Sequence, residues 1–311
     1  MQRLRQHLRT TLVWGLTLTL TAWVIVLAWP TLAQALQHAQ PAPHLWFIGG
    51  LLVLTNFALT GVLWWIVHHP LPASKPVSIP TMTGLMVASS LLNLVPGPRL
   101  GLLGRSIFLK RIHGILLKDS SLAIGWLLLM TAVIFPLAAI PLLFDPATGY
   151  ALWLLALPLV AWPSAILVHH YVHTATFPAV LACLFLRSAE VMAQALRLLV
   201  AARLIGLDLS LETALALSIV GLATRLAAIT PNGLGLTEAA MALSASWLSG
   251  FDANQIAAAA LIDRAIETTL TILIGLPCMI PIRRAWKLAS NDAAHDPQDP
   301  DHEESPPPAT Q

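Results

Sequence analysis

The chain has 311 residues, of which 57% are hydrophobic and 10% charged, with a formal net charge of +2. With a mean hydropathy of +0.74, this is not the mix of a soluble globular domain, and nothing in the charge balance suits a nucleic-acid partner. The two cysteines, Cys183 and Cys278, both lie in apolar segments, which excludes a disulfide framework and a Cys-based metal site.

Arg3, Arg5 and Arg9 precede the first uncharged apolar stretch, residues 11–29. It exceeds the roughly 7–15 apolar residues of a secretory signal core and reads as a retained anchor. Residues 45–67, 121–144 and 150–168 are further uncharged stretches, while 177–204 and 257–282 are apolar but carry charges. At about 1.5 Å per residue, each is long enough to cross a hydrocarbon core of about 30 Å. Of 17 Lys and Arg, twelve lie outside these segments: Arg3, Arg5 and Arg9; Lys75; Arg99, Arg105, Lys110, Arg111 and Lys118; and Arg283, Arg284 and Lys287. Loops 30–44, 145–149 and 249–255 have none, so the positive-inside rule places the basic groups and both termini in the cytoplasm.

Two helix breaks interrupt this pattern. The first reads Asn93-Leu94-Val95-Pro96-Gly97-Pro98-Arg99-Leu100-Gly101, the second Ile229-Thr230-Pro231-Asn232-Gly233-Leu234-Gly235-Leu236-Thr237-Glu238. Proline removes a backbone donor and glycine frees the backbone, so both should break a helix at membrane depth. Lys75 and the basic stretch from Arg99 lie on one side, so the apolar piece between them enters and leaves on that side. The expected fold is all-α: a polytopic membrane bundle of six full spans plus two broken or re-entrant hairpins. It occupies residues 1–288, with inverted repeats over about 11–144 and 150–282, a pattern suited to a transport site between repeats. Residues 289–311 are polar, acidic and Pro-rich, the composition of a disordered cytoplasmic tail.

Five arginines lie at membrane depth: Arg187, Arg197, Arg203, Arg225 and Arg264. Charge there costs at least about 2.5–3.5 kcal/mol per residue, so partners or a wet cavity must offset it. Arg203 sits near a helix end and can snorkel. Arg187, Glu190, Gln194 and Arg197 form a stripe on one helix face; Glu190 can pair with Arg187, leaving Arg197 with charge to spare. The stripe is either an internal ion pair that locks helix packing or the wall of a wet cavity. Asp263 and Glu267 are one turn apart and repel unless a cation or proton lies between them. Arg264 can reach Glu238 beside the second break, as a structural clamp or as part of a proton-coupled site.

Residues 102–118 alternate apolar and basic positions, as in an amphipathic interfacial helix. Arg99 and Arg105 flank the first break, where a helix N-terminus would favour a phosphate. His169, His170 and His173 follow the fourth span without a carboxylate or Cys nearby, so they read as interfacial histidines and not a metal site. No cofactor is expected.

The chain resembles the transmembrane region of lysylphosphatidylglycerol synthases and their stand-alone, flippase-like relatives. The likeness rests on Asn93, Pro96, Arg99, Gly101 and Arg105, then on Pro231, Gly233, Gly235 and Glu238, followed by Gly250 and Arg264. The resemblance implies a multi-pass protein of the bacterial inner membrane that moves an anionic or aminoacylated lipid between leaflets, with membrane lipids as partners. On that reading Arg99 and Arg105 receive the headgroup, and Arg197, Glu238 and Arg264 line the path. Pro96, Gly97, Pro231, Gly233 and Gly235 shape the breaks, and Arg187, Glu190, Asp263 and Glu267 complete the polar set. The chain departs from the family at Leu102, where Glu is usual, and at Lys118-Asp119-Ser120-Ser121-Leu122-Ala123, which lacks a Glu-Arg pair. With no aminoacyl-transferase domain, lipid synthesis is not expected. Two other classes remain open: an embedded enzyme using Asp263 or Glu267 as acid/base on a lipid headgroup, and a non-transporting scaffold.

Overall fold

The computed structural model describes residues 42–94, 100–171, 176–227, 236–248 and 251–295, together with the single positions Ala33 and Gln37. The first expected span, residues 11–29, lies outside the described residues, as do Pro96, Gly97, Arg99, Pro231, Gly233, Gly235 and His173. The described elements are helical: α1 (Pro43–His68), α2 (Ile79–Leu92), α3 (Leu100–His113), α4 (Leu117–Ala139), α5 (Pro146–Tyr171), α6 (Phe177–Leu204), α7 (Leu211–Ala227), α8 (Leu236–Leu248) and α9 (Ala253–His295). A short 3-10 turn, Ile140–Leu142, follows α4.

Five of these helices, α1, α4, α5, α6 and α9, are long and apolar enough to cross a membrane. The chain is therefore a polytopic all-α membrane bundle. Prolines lie inside α4, α5 and α9, as membrane-spanning helices tolerate. The outer face of α5, with Leu155, Leu159, Trp162 and Ile166, is exposed, as a lipid-facing surface should be. The remaining four helices are short, 13 to 17 residues, or about 20–25 Å at the α-helical rise. None matches a core of about 30 Å, so α2/α3 and α7/α8 behave as broken hairpins. α9 runs on to His295, into the stretch read from sequence as tail.

The two hairpins begin alike. Ser78 caps α2 by accepting the Thr81 backbone N–H at 3.3 Å, and Ser210 caps the start of α7 by accepting that of Thr213 at 3.2 Å. Such a cap satisfies one of the N–H groups a helix start leaves bare. Neighbour relations also recur. α1 packs on α2 as α6 packs on α7, α2 on α3 as α7 on α8, and α3 on α4 as α8 on α9. α2 meets α9 as α7 meets α4, and α1 meets α4 as α6 meets α9. The most extensive interface, α1 against α6, joins the two sets at the centre.

Close approach in the first hairpin depends on Gly101. Its N–H donates to Asn93 Oδ1 at 2.9 Å, which closes the break. A Cβ on Gly101 would lie 1.9 Å from the Ser89 carbonyl oxygen, so α2 and α3 would have to part. Gly101→Ala should therefore lower stability by about 1–3 kcal/mol, read as a fall in melting temperature in detergent. Gly125→Ala meets nothing within 4 Å and should leave it within about 1 kcal/mol; equal behaviour of the two variants would refute the close-approach account.

Candidate functional site

Where α6, α7, α8 and α9 meet, four arginines and four carboxylates come together. α6 supplies Arg187, Glu190 and Arg197, α7 Arg225, α8 Glu238, and α9 Asp263, Arg264 and Glu267. Arg197 is 2% exposed. Its Nε and Nη2 donate to the two oxygens of Asp263 at 2.8 and 3.0 Å, and Nη2 also donates to Glu267 Oε2 at 2.7 Å. The cation that sequence spacing requires between Asp263 and Glu267 is therefore the Arg197 guanidinium. This departs from the expectation that Arg197 keeps charge to spare: residues 66 and 70 positions further on neutralise it, a pairing local spacing does not reveal.

Glu267 is the hub. The same oxygen, Oε2, also lies 3.4 Å from Arg225 Nη2 and 3.5 Å from Arg264 Nη1. Arg264 Nε lies 3.4 Å from Glu238 Oε1, so α8 is tied to α9 just after the second break. Arg187 pairs with Glu190 at 2.5 Å, and the Thr60 hydroxyl on α1 donates to Glu190 Oε1. Gln194 Nε2 donates to Asp263 Oδ2 at 2.9 Å. Charge-assisted bonds of this kind are about twice as strong as neutral ones, and pairing offsets the desolvation of each ion.

A cavity of about 150 Å³ opens beside the network. Arg187, Glu190, Gln194, Arg197, Arg225 and Glu267 form its charged and polar wall, and Asn56, Thr60 and Ser90 add polar atoms from α1 and α2. Its walls thus come from the central α1/α6 pair, from one arm of each hairpin, and from Glu267 of α9. Asn56, Thr60 and Ser90 were not singled out from sequence, because one amide or hydroxyl in an apolar run carries no signal by itself. Arg225 stood out there as an intramembrane charge, without a partner.

Arg105 sits apart from this network. It is buried on α3; its guanidinium carbon lies 3.4 Å from the Trp64 ring centroid, and Nη1 contacts Met86 Sδ. A desolvated cation–π contact of this kind is worth about 2 kcal/mol, which explains how an arginine is held here with no carboxylate partner among the described residues. Met86 also lines the cavity, so Arg105 lies behind its wall. Asn93 and Gly101 close the first break. Among the described residues no group of His, Cys, Asp and Glu is arranged to hold a metal ion.

Residues 170–275 match the family described as Lysylphosphatidylglycerol synthase TM region. The match runs from the end of α5 through most of α9, about a third of the chain, and contains all eight network residues. It agrees with the resemblance carried by Pro231, Gly233, Gly235, Glu238 and Arg264, whereas the first motif lies outside it. No curated protein and no solved structure matches the chain.

Removing one partner of a buried pair leaves a bare ion. Arg197→Leu should therefore cost about 3–5 kcal/mol, seen as a large fall in melting temperature, and Arg197→Leu with Asp263→Leu should recover part of it. A single variant as stable as the parent would show that the pair does not hold α6 to α9.

Proposed function

We propose that this chain, about a third of which matches the lysylphosphatidylglycerol synthase transmembrane region, is a lipid translocator that passes an anionic or aminoacylated headgroup between leaflets of the bacterial inner membrane. The observation that carries this reading is the cavity at the meeting of two broken hairpins, walled by guanidinium and carboxylate groups. Intramembrane ions line substrate paths when they face a cavity, and transporter sites sit where discontinuous helices of two repeats meet. The matching serine caps and the recurring neighbour relations support two inverted repeats, about 11–144 and 150–282, which can exchange roles in alternating access. The basic loops support cytoplasmic termini.

The geometry favours translocation over acid/base catalysis by Asp263 or Glu267. Both Asp263 oxygens accept from Arg197, and Glu267 Oε2 faces three guanidinium groups. Asp263, with both oxygens engaged, has none left to act as a base, and Glu267 is held as the counter-ion of three guanidinium groups.

The test is inter-leaflet exchange of fluorescent anionic, zwitterionic and aminoacylated lipids in proteoliposomes. Arg225→Gln should lower exchange by about tenfold or more, as loss of a charge-assisted contact implies, and Arg264→Ala should abolish it with membrane insertion intact. Folded protein that exchanges no lipid, or variants that exchange normally, would overturn the proposal.

A further inference from the structure

Seven of the described basic side chains gather at one end of the bundle, and specific contacts bring them there. Lys75 sits in the loop between α1 and α2. In that loop the Ser74 N–H donates to the His113 carbonyl at 2.8 Å, and the His113 ring Nδ1 lies 3.0 Å from the Lys75 carbonyl oxygen. These bonds pin the loop to the last turn of α3, which carries Lys110 and Arg111. The Arg111 guanidinium carbon lies 4.5 Å from the Trp286 ring centroid. α9 therefore passes alongside α3, with Arg283, Arg284 and Lys287 flanking the stacked tryptophan in sequence. Lys118 opens α4, just beyond the turn at Gly114.

All seven are exposed. Asp119, beside Lys118, is the one carboxylate in residues 69–78, 100–120 and 283–288. Like charges gathered in this way raise the local potential and draw anions. Charge placement assigns this end to the cytoplasm.

The same end is where the chain continues. α9 runs nine residues past Trp286, to His295, about 14 Å at the α-helical rise. Residues 296–311 lie outside the described residues, yet they leave from within that distance of the cationic face. They bring Asp296, Asp299, Asp301, Glu303 and Glu304, and no Lys or Arg follows Lys287. The four to nine residues from His295 to Asp299 and Glu304 reach up to about 13–30 Å at about 3.3 Å each. That is enough to turn back along α9 to the level of Trp286.

We propose that the acidic segment 296–304 docks on this basic face, and that an anionic membrane surface displaces it. Five carboxylates tethered beside seven cations give a charge match that a merely polar tail would not supply. Exposed ion pairs are individually weak and screened by salt. Tethering, however, holds the segment at an effective concentration on the order of millimolar, so several weak pairs act together. Anionic headgroups attract the same Lys and Arg side chains, so segment and lipid compete for one face. While docked, the segment masks that face from other anions. The contact stands independently of lipid translocation.

Disulfide trapping on the full chain tests this. With Cys183 and Cys278 replaced by Ala, Leu116→Cys on the face and Ser305→Cys beyond the carboxylates leave every charge in place; Leu116 is 59% exposed. An intramolecular disulfide should form in phosphatidylcholine vesicles at low salt. Neutralising the segment (Asp296→Asn, Asp299→Asn, Asp301→Asn, Glu303→Gln and Glu304→Gln) should slow trapping about tenfold, the combined weight of several exposed pairs. High salt, and vesicles rich in phosphatidylglycerol, should slow it similarly. Both of those arms use the chain with its carboxylates intact, so they decide the matter even where the neutralised variant misfolds. Absent trapping, or trapping equally fast after neutralisation or in high salt, would overturn the docking. Disulfides formed only between two copies would overturn the intrachain contact, and trapping unchanged in phosphatidylglycerol would overturn displacement by lipid.

Discussion

Glu267 holds one carboxylate oxygen within 3.5 Å of three guanidinium groups from three helices, and the organisation of this half of the bundle follows from that requirement. Charges taken from water into a low-dielectric interior are tolerable only when their neighbours return most of the lost solvation. Four arginines and four carboxylates do so by closing on one another. The network binds helices that differ in kind: α6 and α9 are long spans, whereas α7 and α8 are short arms interrupted by a Pro and two Gly. Apolar packing alone discriminates weakly among helix arrangements in lipid, so polar contacts give such bundles much of their specificity.

The contacts are uneven, and that has a functional consequence. Arg197 grips Asp263 and Glu267 at 2.7–3.0 Å, while the links to the broken hairpin, through Arg225 and Arg264, lie at 3.4–3.5 Å. The Arg197 grip on Asp263 and Glu267 is thus closer than these links to the broken hairpin. A ligand shifts a conformational equilibrium only through differential contacts with its two states. On the proposed translocator reading Arg225, which lines the cavity and lies 3.4 Å from Glu267, is the residue placed to make such a contact.

Much of the fold was legible in the sequence. Apolar runs gave the five described spans, and the Pro- and Gly-containing motifs mark where the short helices pair, because at membrane depth the backbone has no water to fall back on. The Arg187–Glu190 pair could be read from helical spacing, and the Arg264–Glu238 contact was anticipated as a reach from the last span to the break. The partners of Arg197 could not be read, since Asp263 and Glu267 reach it only through the packing of α6 on α9. Nor could the burial of Arg105: its basic, amphipathic context looked interfacial, and only tertiary structure brings Trp64 beneath it. The roles of Gln194, Asn56, Thr60 and Ser90 depend on which wall of which cavity they face. No helical period encodes that.

The central claim is that a wet, headgroup-sized cavity lies within the bundle and is reached from the two sides in turn. The most direct measurement is labelling of Ser90→Cys and Thr60→Cys by a membrane-impermeant thiol reagent, applied from either face of right-side-out and inverted vesicles, with Cys183 and Cys278 replaced by Ala. The account predicts labelling of both positions, with the accessible side changing when anionic lipid is supplied. Folded protein that resists labelling from both faces under every lipid condition would contradict it.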